Sequence, residues 1–301
     1  MDFHAQCSRK MFGSDVPPKI DYSFDQMEEL AKSVIERSVV VPGVQPKLSV
    51  QLERKRRNQK EPRLTIVGTL GGNYILKPPS IRFPELPANE HLTMRLAENY
   101  GIQVVPSSLI RLASGELAYV TKRVDRTPKG DKIHMLDMFQ ITEAFDKYKG
   151  SMEKVGKAID SYSVNTLLDK SLFFDLALFC YLTGNNDMHL KNFSMIKGPF
   201  GWVLSPAYDL LNVSIVLPND TEELALTLNG KKRKLKLSHF FHLGETLGLN
   251  QRQIENSIER MLNEKVNAIK LIKQSFLSKE MKISYENLVN SRYMIFQSTH
   301  S

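Results

Sequence analysis

The chain has 301 residues, 42% hydrophobic and 25% charged. That is the composition of a folded globular protein, with length for one large or two closely packed domains. No apolar run reaches the roughly 18 residues of a membrane span, since Asp175 interrupts the longest candidate, around 172–182.

Cys7 and Cys180 are the two cysteines. A disulfide framework is therefore not expected, Cys180 reads as a small core hydrophobe, and a reducing cytoplasm is the expected location. Met1-Asp2-Phe3-His4 lacks the basic-then-apolar order of a secretory signal. The formal net charge of +8 suits an anionic partner such as nucleic acid, nucleotide or an acidic protein, while 33 acidic residues mixed among 41 basic ones also fit a solvated basic surface.

Residues 1–20 read as irregular, punctuated by Pro17-Pro18. Ser23-Phe24-Asp25-Gln26 has the form of a capping box. Met27, Leu30, Val34 and Ile35 recur behind it at helical spacing, predicting a helix over 24–37. A β-branched stretch from Ser38 is then broken by Pro42, Gly43 and Pro46. Residues 48–52 alternate as a strand, 53–63 form a basic surface turn, and 64–67 and 74–77 flank Gly68, Gly71 and Gly72 as two more strands.

A helix is predicted over 88–100, with Leu92, Leu96 and Ala97 on one face and Gly101 as its stop. Strands follow at 104–105, 108–112 and 117–122. From about 135 onward the chain is mostly helical, most clearly over 136–145, 166–183, 250–275 and 283–296. A short strand pair is expected around 193–196 and 202–204. Strands first and helices after predict an α+β protein, with a sheet-rich lobe over 1–132 and a helical catalytic lobe over 133–301. A protein kinase uses that layout, with a cleft between lobes, to hold a nucleotide, although layout alone proves no function.

The most informative stretch is Gly184-Asn185-Asn186-Asp187-Met188-His189-Leu190-Lys191-Asn192-Phe193-Ser194. An Asp followed five residues later by an Asn, in a loop between helix and strand, is the kinase arrangement. There the Asp accepts the proton of the substrate hydroxyl and the Asn coordinates magnesium. Seventeen residues on, Leu204–Leu210 presents Asp209 where a second metal-binding acid belongs. Lys191 would neutralise developing phosphoryl charge. His189 reads first as a residue that packs the loop, and is also counted with the nucleotide-facing group. Lys77 ends a strand where it can reach the α- and β-phosphates, and Glu90 can hold it in position. Gly43-Val44-Gln45-Pro46-Lys47 resembles a phosphate-covering loop, with Gly43, Gln45 and Lys47 nearest the anion.

These segments, together with Asn89-Glu90, 122–126 and Pro206–Leu210, resemble the HipA family of bacterial serine/threonine kinases over about 38–295. The resemblance implies a kinase-like fold, ATP with Mg2+, and the role of toxin in a toxin–antitoxin system. It implies Asp187 as base, Asn192 and Asp209 as metal ligands, and Lys77 as the nucleotide lysine. It also implies adenine contacts from Leu136 and Met138 in the segment His134–Gln140. Only about 37 residues precede the Gly-Val-Gln motif, which resembles the short HipT type, with a separate small HipS protein and a DNA-binding HipB antitoxin. Family members act on aminoacyl-tRNA synthetases, so that substrate is expected. Ser38 is the expected autophosphorylation site, as the nearest serine before the glycine loop. Arg54–Arg57 and Lys231–Lys234 leave open a DNA-associated role, with DNA contact expected only through the complex. An inactive kinase-like scaffold is the remaining alternative.

Overall fold

The computed structural model describes residues 3–37, 46–53, 61–67 and 71–297, without the side chains of 31–37. The chain divides into two units. One comprises Met1–His91 and Val105–Lys132, the other Leu92–Val104 and Ile133–Ser301.

In the first unit, helices α1 (Ala5–Phe12) and α2 (Phe24–Arg37) precede strands β1 (Leu48–Glu53), β2 (Arg63–Ile66) and β3 (Tyr74–Lys77). Helix α3 (Leu86–Asn99) follows, its residues from Leu92 on belonging to the second unit, then β4 (Ser107–Arg111) and β5 (Leu117–Lys122). The strands form an antiparallel sheet in the order β2-β1-β3-β5-β4. Side chains alternate across a strand, and here the even positions make the core: Leu48, Val50, Leu64, Tyr74, Leu76, Ile110, Ala118 and Val120. Met11 and Phe12 of α1 and Met27 of α2 close over that face. The odd positions of β3 and β5, Lys77 and Tyr119 among them, consequently project from the opposite face, and these two are register partners.

The predicted capping box forms: Ser23 N–H donates to Gln26 Oε1 at 2.9 Å and Gln26 N–H to Ser23 Oγ at 3.4 Å. Helix α1 corrects the irregular reading of residues 1–20. It has no side-chain cap and no acid in its first turn, so the local signals of a helix start are missing. Burial of Met11 and Phe12 holds it instead.

The second unit holds β6 (Met135–Asp137), α4 (Met138–Ile141), α5 (Met152–Tyr162), α6 (Thr166–Thr183), β7 (Ser194–Lys197) and β8 (Trp202–Leu204), then α7 (Leu237–Thr246), α8 (Gln251–Asn263), α9 (Lys265–Gln274) and α10 (Lys279–Gln297). Its strands pair antiparallel in the order β6-β7-β8. Residues 173–183 of α6 are all buried, so this helix runs through the centre of the unit. No helix of the described residues is long and apolar enough to cross a membrane.

Three expectations change here. Residues 136–145 are not one helix but strand β6 followed by the single turn of α4, which Asp137 and Gln140 cap reciprocally. The 250–275 helix is two, because Glu264 ends α8 and begins α9. Val104 makes an isolated bridge to Ala207 rather than a strand.

Leu92–Val104 joins the second unit through specific partners. Thr93 Oγ1 lies 2.9 Å from Tyr285 Oη, and Tyr100 meets Phe179 edge to face at 5.3 Å and hydrogen-bonds Tyr293. Arg260 donates to the Tyr100 carbonyl at 2.6 Å and to Asp175 at 2.5 Å.

Candidate active site

In the first unit, Lys77 is 3% exposed and its Nζ lies 2.6 Å from Glu90 Oε1, itself 1% exposed. The alternation that buries Leu76 sends Lys77 to the other face, where its ammonium sits 5.4 Å from the centre of the Tyr119 ring. Two opposite charges this close and this well shielded form a directed pair rather than a surface contact. Lys77 and Glu90 are thus brought together as the sequence led us to expect. Lys47 is exposed. Gly43, Gln45 and Ser38 lie outside the described residues, as does the Arg54–Arg57 cluster.

In the second unit, α6 ends at Gly184, which adopts φ +70° as a left-handed cap. A Cβ there would also stand 2.7 Å from Asn212 Oδ1. The chain then turns through Asn185 and Asn186 to a half-buried Asp187. Asn192 donates its Nδ2 to the Asp187 carbonyl at 3.1 Å, and His189 N–H donates to the same carbonyl at 2.8 Å. The spacing of five residues is therefore closed into a loop by the Asn192 side chain. Asn186 Nδ2 anchors the loop from the other side, donating to Asp220 Oδ2 and to the Glu222 carbonyl, each at 3.0 Å.

The Asp187 carboxylate has a partner that sequence reasoning missed. Tyr148 Oη donates to Asp187 Oδ1 at 2.7 Å. A single aromatic in a lysine-flanked link, 39 positions away, carries no periodic or motif signal. Burial, then the bond to Asp187, push the Tyr148 phenol well above its usual range, so it stays a donor. The Tyr148 ring meets His189 edge to face at 5.1 Å.

His189 is 7% exposed, which fits the loop-packing reading and not a nucleotide-facing side chain. Burial pulls its imidazole down to about 4, against the upward pull of the Asp187 and Asp209 carboxylates. The ring is neutral at physiological pH, and its Nδ1 is buried without a hydrogen-bond partner among the described residues.

The β7–β8 hairpin leads to Asp209. Ser205 N–H donates to the Ser194 carbonyl at 2.9 Å, and Ala207 N–H to the Gln103 carbonyl at 2.8 Å. Asp209 has φ +57°, a left-handed conformation that Asp tolerates better than most side chains. Immediately beyond, the Gly184 carbonyl accepts from Val213 N–H and Ser214 N–H, each at 3.1 Å, and from Ser214 Oγ at 3.0 Å. One carbonyl at the head of the Asp187 loop thus staples the segment that follows Asp209.

Lys191 is exposed, with its Nζ 4.7 Å from the centre of the Phe139 ring. The expected adenine segment needs correction. Met138 is fully buried, its N–H donates to the Phe193 carbonyl at 2.8 Å and its carbonyl accepts from Thr142. Lys197 N–H bonds the His134 carbonyl at 2.8 Å. Antiparallel alternation between these two points turns the Leu136 backbone inward to β7, so Met135 and Asp137 face the outer edge of β6. What Leu136 offers is its exposed side chain, and Met138 offers no backbone group.

The model of the HipA-like C-terminal domain matches residues 39–269. The chain belongs to this family. "Putative kinase" of Haemophilus influenzae is 28% identical over 305 residues, covering 91% of this chain and 85% of that one. "Putative kinase Y4dM" of Sinorhizobium fredii is 31% identical over 80% of this chain, and the serine/threonine-protein kinase toxin HipA of Shewanella oneidensis 29% over 58%. The matches span 60% of Y4dM and 43% of HipA. HipA in the Shewanella oneidensis MR-1 complex of HipA, HipB and operator DNA has a TM-score of 0.71 at 23% identity, covering 86% of this chain and 65% of that one. The Helicobacter pylori proinflammatory kinase CtkA has a TM-score of 0.57 at 14% identity, covering 83% and 93%. The fold is therefore the expected α+β one, protein-kinase-like and HipA-like, with a sheet-rich first unit and a mostly helical second.

Proposed function

We propose that this HipA-family chain is a protein serine/threonine kinase that transfers the γ-phosphoryl group of ATP. The observation that carries the reading is the closed Asp187–Asn192 loop: a half-buried aspartate whose backbone carbonyl is tied to the side chain five residues on. In that role Asp187 takes the proton of the acceptor hydroxyl. Lys77, held by Glu90, faces the nucleotide phosphates, with Lys191 and the loop of Gly43, Gln45 and Lys47 as further anion contacts. Leu136 supplies apolar contact to the base.

The donor chemistry fits Mg2+. Asn192 spends its Nδ2 on the Asp187 carbonyl, which leaves Oδ1 as the amide's ligand atom. With the Asp209 carboxylate this is a pair of hard oxygen donors, the kind that magnesium completes with phosphate oxygens and water. Bound there, Mg2+ supplies neutralisation of phosphate charge.

The biological role follows the family: the toxin of a bacterial toxin–antitoxin system. Its partners are a DNA-binding HipB-like antitoxin and a small HipS-like protein, as in the short HipT type, with DNA reached through that complex. The substrate proposed is an aminoacyl-tRNA synthetase, where a phosphate adds about two negative charges to a surface that must bind ATP or tRNA. Ser38 is the proposed site of autophosphorylation.

Radiolabelled ATP incubated with the full chain and a bacterial extract should label a discrete protein band, and Asp187→Asn should abolish it. Equal labelling by the variant sinks the mechanism. Mass spectrometry of active protein that finds Ser38 unmodified removes the autophosphorylation site.

A further inference from the structure

The Asp187 carboxylate is already occupied on one oxygen, by a tyrosine that is 39% exposed yet held by several neighbours. Tyr148 donates its hydroxyl to Oδ1 at 2.7 Å. Its ring is gripped on more than one side: His189 presents an edge at 5.1 Å, and Lys147 Nζ lies 4.9 Å from the ring centre. Its backbone is fixed as well. Tyr148 N–H donates to Asp146 Oδ1 at 2.9 Å, the turn closes through Lys149 N–H to the Asp146 carbonyl at 3.2 Å, and Leu190 N–H reaches back to the Lys147 carbonyl at 3.1 Å. The segment 146–149 is thus docked on the Asp187 loop by main chain and side chains together.

Resting on the kinase reading above, we propose that Tyr148 is a positioning residue for Asp187. An ionised carboxylate accepts only and has two oxygens. The tyrosine takes one lone-pair direction of Oδ1 and restrains the rotation of the group, which leaves Oδ2 as the uncrowded oxygen to receive the acceptor hydroxyl. A hydroxyl at this place also has the geometry of a competing acceptor, a placeholder that substrate displaces. The grips decide between the two. A placeholder has to leave, and leaving here breaks the His189 and Lys147 ring contacts as well as the hydrogen bond. His189 acquires a purpose on this account: as a neutral, buried ring it is the wall against which Tyr148 stands.

The test uses the full chain, radiolabelled ATP and the same extract, reading the initial rate into the labelled band against ATP concentration. Tyr148→Phe keeps the ring against His189 and Lys147 and deletes only the hydroxyl. The expected result is a fall in kcat on the order of tenfold to a hundredfold, with the KM for ATP unchanged and the denaturation midpoint held. Replacement of Tyr148 by 3-fluorotyrosine, which keeps the hydroxyl, restores kcat. Unchanged or raised kcat in Tyr148→Phe overturns the proposal alone, the rise being the mark of a placeholder. Equal losses in kcat, ATP affinity and midpoint overturn it in favour of a structural role. A wild-type chain that transfers no phosphate overturns the kinase reading and this proposal with it.

Discussion

Lys77 and Glu90 illustrate how much a residue's meaning depends on what surrounds it. A lysine at the end of a strand is commonly a surface cation, yet here both partners are sealed from solvent at 2.6 Å. Burying two charges costs several kcal/mol per ion before their attraction repays it, and removing one partner alone strands the other. Glu90→Ala is expected to cost about 3–5 kcal/mol in urea denaturation, whereas Lys77→Met combined with Glu90→Leu recovers much of that loss. A double variant no more stable than the single one means that the buried charge is not what matters. The pair was legible from the strand-end lysine and an acid 13 positions on. Tyr148 was not, because its contact with Asp187 is made in space and leaves no local pattern.

His189 gives the folded chain a pH dependence. The unfolded chain begins to protonate this histidine near 6.5, while the folded chain resists until about 4. Between those values the unfolded state binds more protons, so stability falls as pH drops from 6.5 towards 4 and is insensitive to this group above 6.5. The expected loss is up to about 3 kcal/mol. Denaturation midpoints measured across this range in the metal-free chain should flatten in His189→Gln. A variant with the same slope as wild type assigns the dependence elsewhere.

Among the elements, those with strong local punctuation were readable. Strands β1, β2, β3 and β5 lie where alternation and glycine breaks put them, and α2 starts at its capping box. Two unforeseen helices of the second unit, α5 and α7, each carry an interior glycine, which speaks against a helix in sequence. Tertiary packing explains the second. A Cβ on Gly244 would meet Ile254 Cγ1 at 2.5 Å, so the glycine lets α8 approach, a requirement no local window contains. A Cβ on Gly156 would meet the Leu247 Cδ2 methyl at 2.2 Å, a side-chain tip that can move aside.

A contrast between glycines tests this. Gly184→Ala forces a side chain into a left-handed position and against Asn212, and is expected to cost at least about 1–2 kcal/mol. Gly156→Ala meets only the movable tip of a leucine and gains up to about 1 kcal/mol of helix propensity, so its net effect should be small. Equal shifts in thermal midpoint contradict the role given to Gly184.

For the whole molecule, the order of strands before helices was enough to give the α+β class, while the kinase-like expectation needed the Asp187–Asn192 spacing and the family resemblance. What sequence order hid is that Leu92–Val104 belongs with the second unit. Its partners Phe179, Arg260, Tyr285 and Tyr293 stand 79 to 193 positions away. A fragment 133–301 therefore lacks part of its own interior. It should be poorly soluble or melt well below the full chain, and a co-expressed fragment that supplies 86–104 should raise its melting temperature. A fragment 133–301 as stable as the full chain refutes this.

The staple at Gly184 bears on how such a chain can change over time. The segment after Asp209 is tied to the head of the Asp187 loop by two main-chain donors and one serine meeting a single carbonyl, and Tyr208, beside Asp209, adds a hydroxyl bond to the Lys191 carbonyl. Most substitutions leave backbone amides in place, so the main-chain part of this tie survives changes in the side chains around it. Changes that break it include a proline at 213 or 214, which removes a donor, or a side chain at 184.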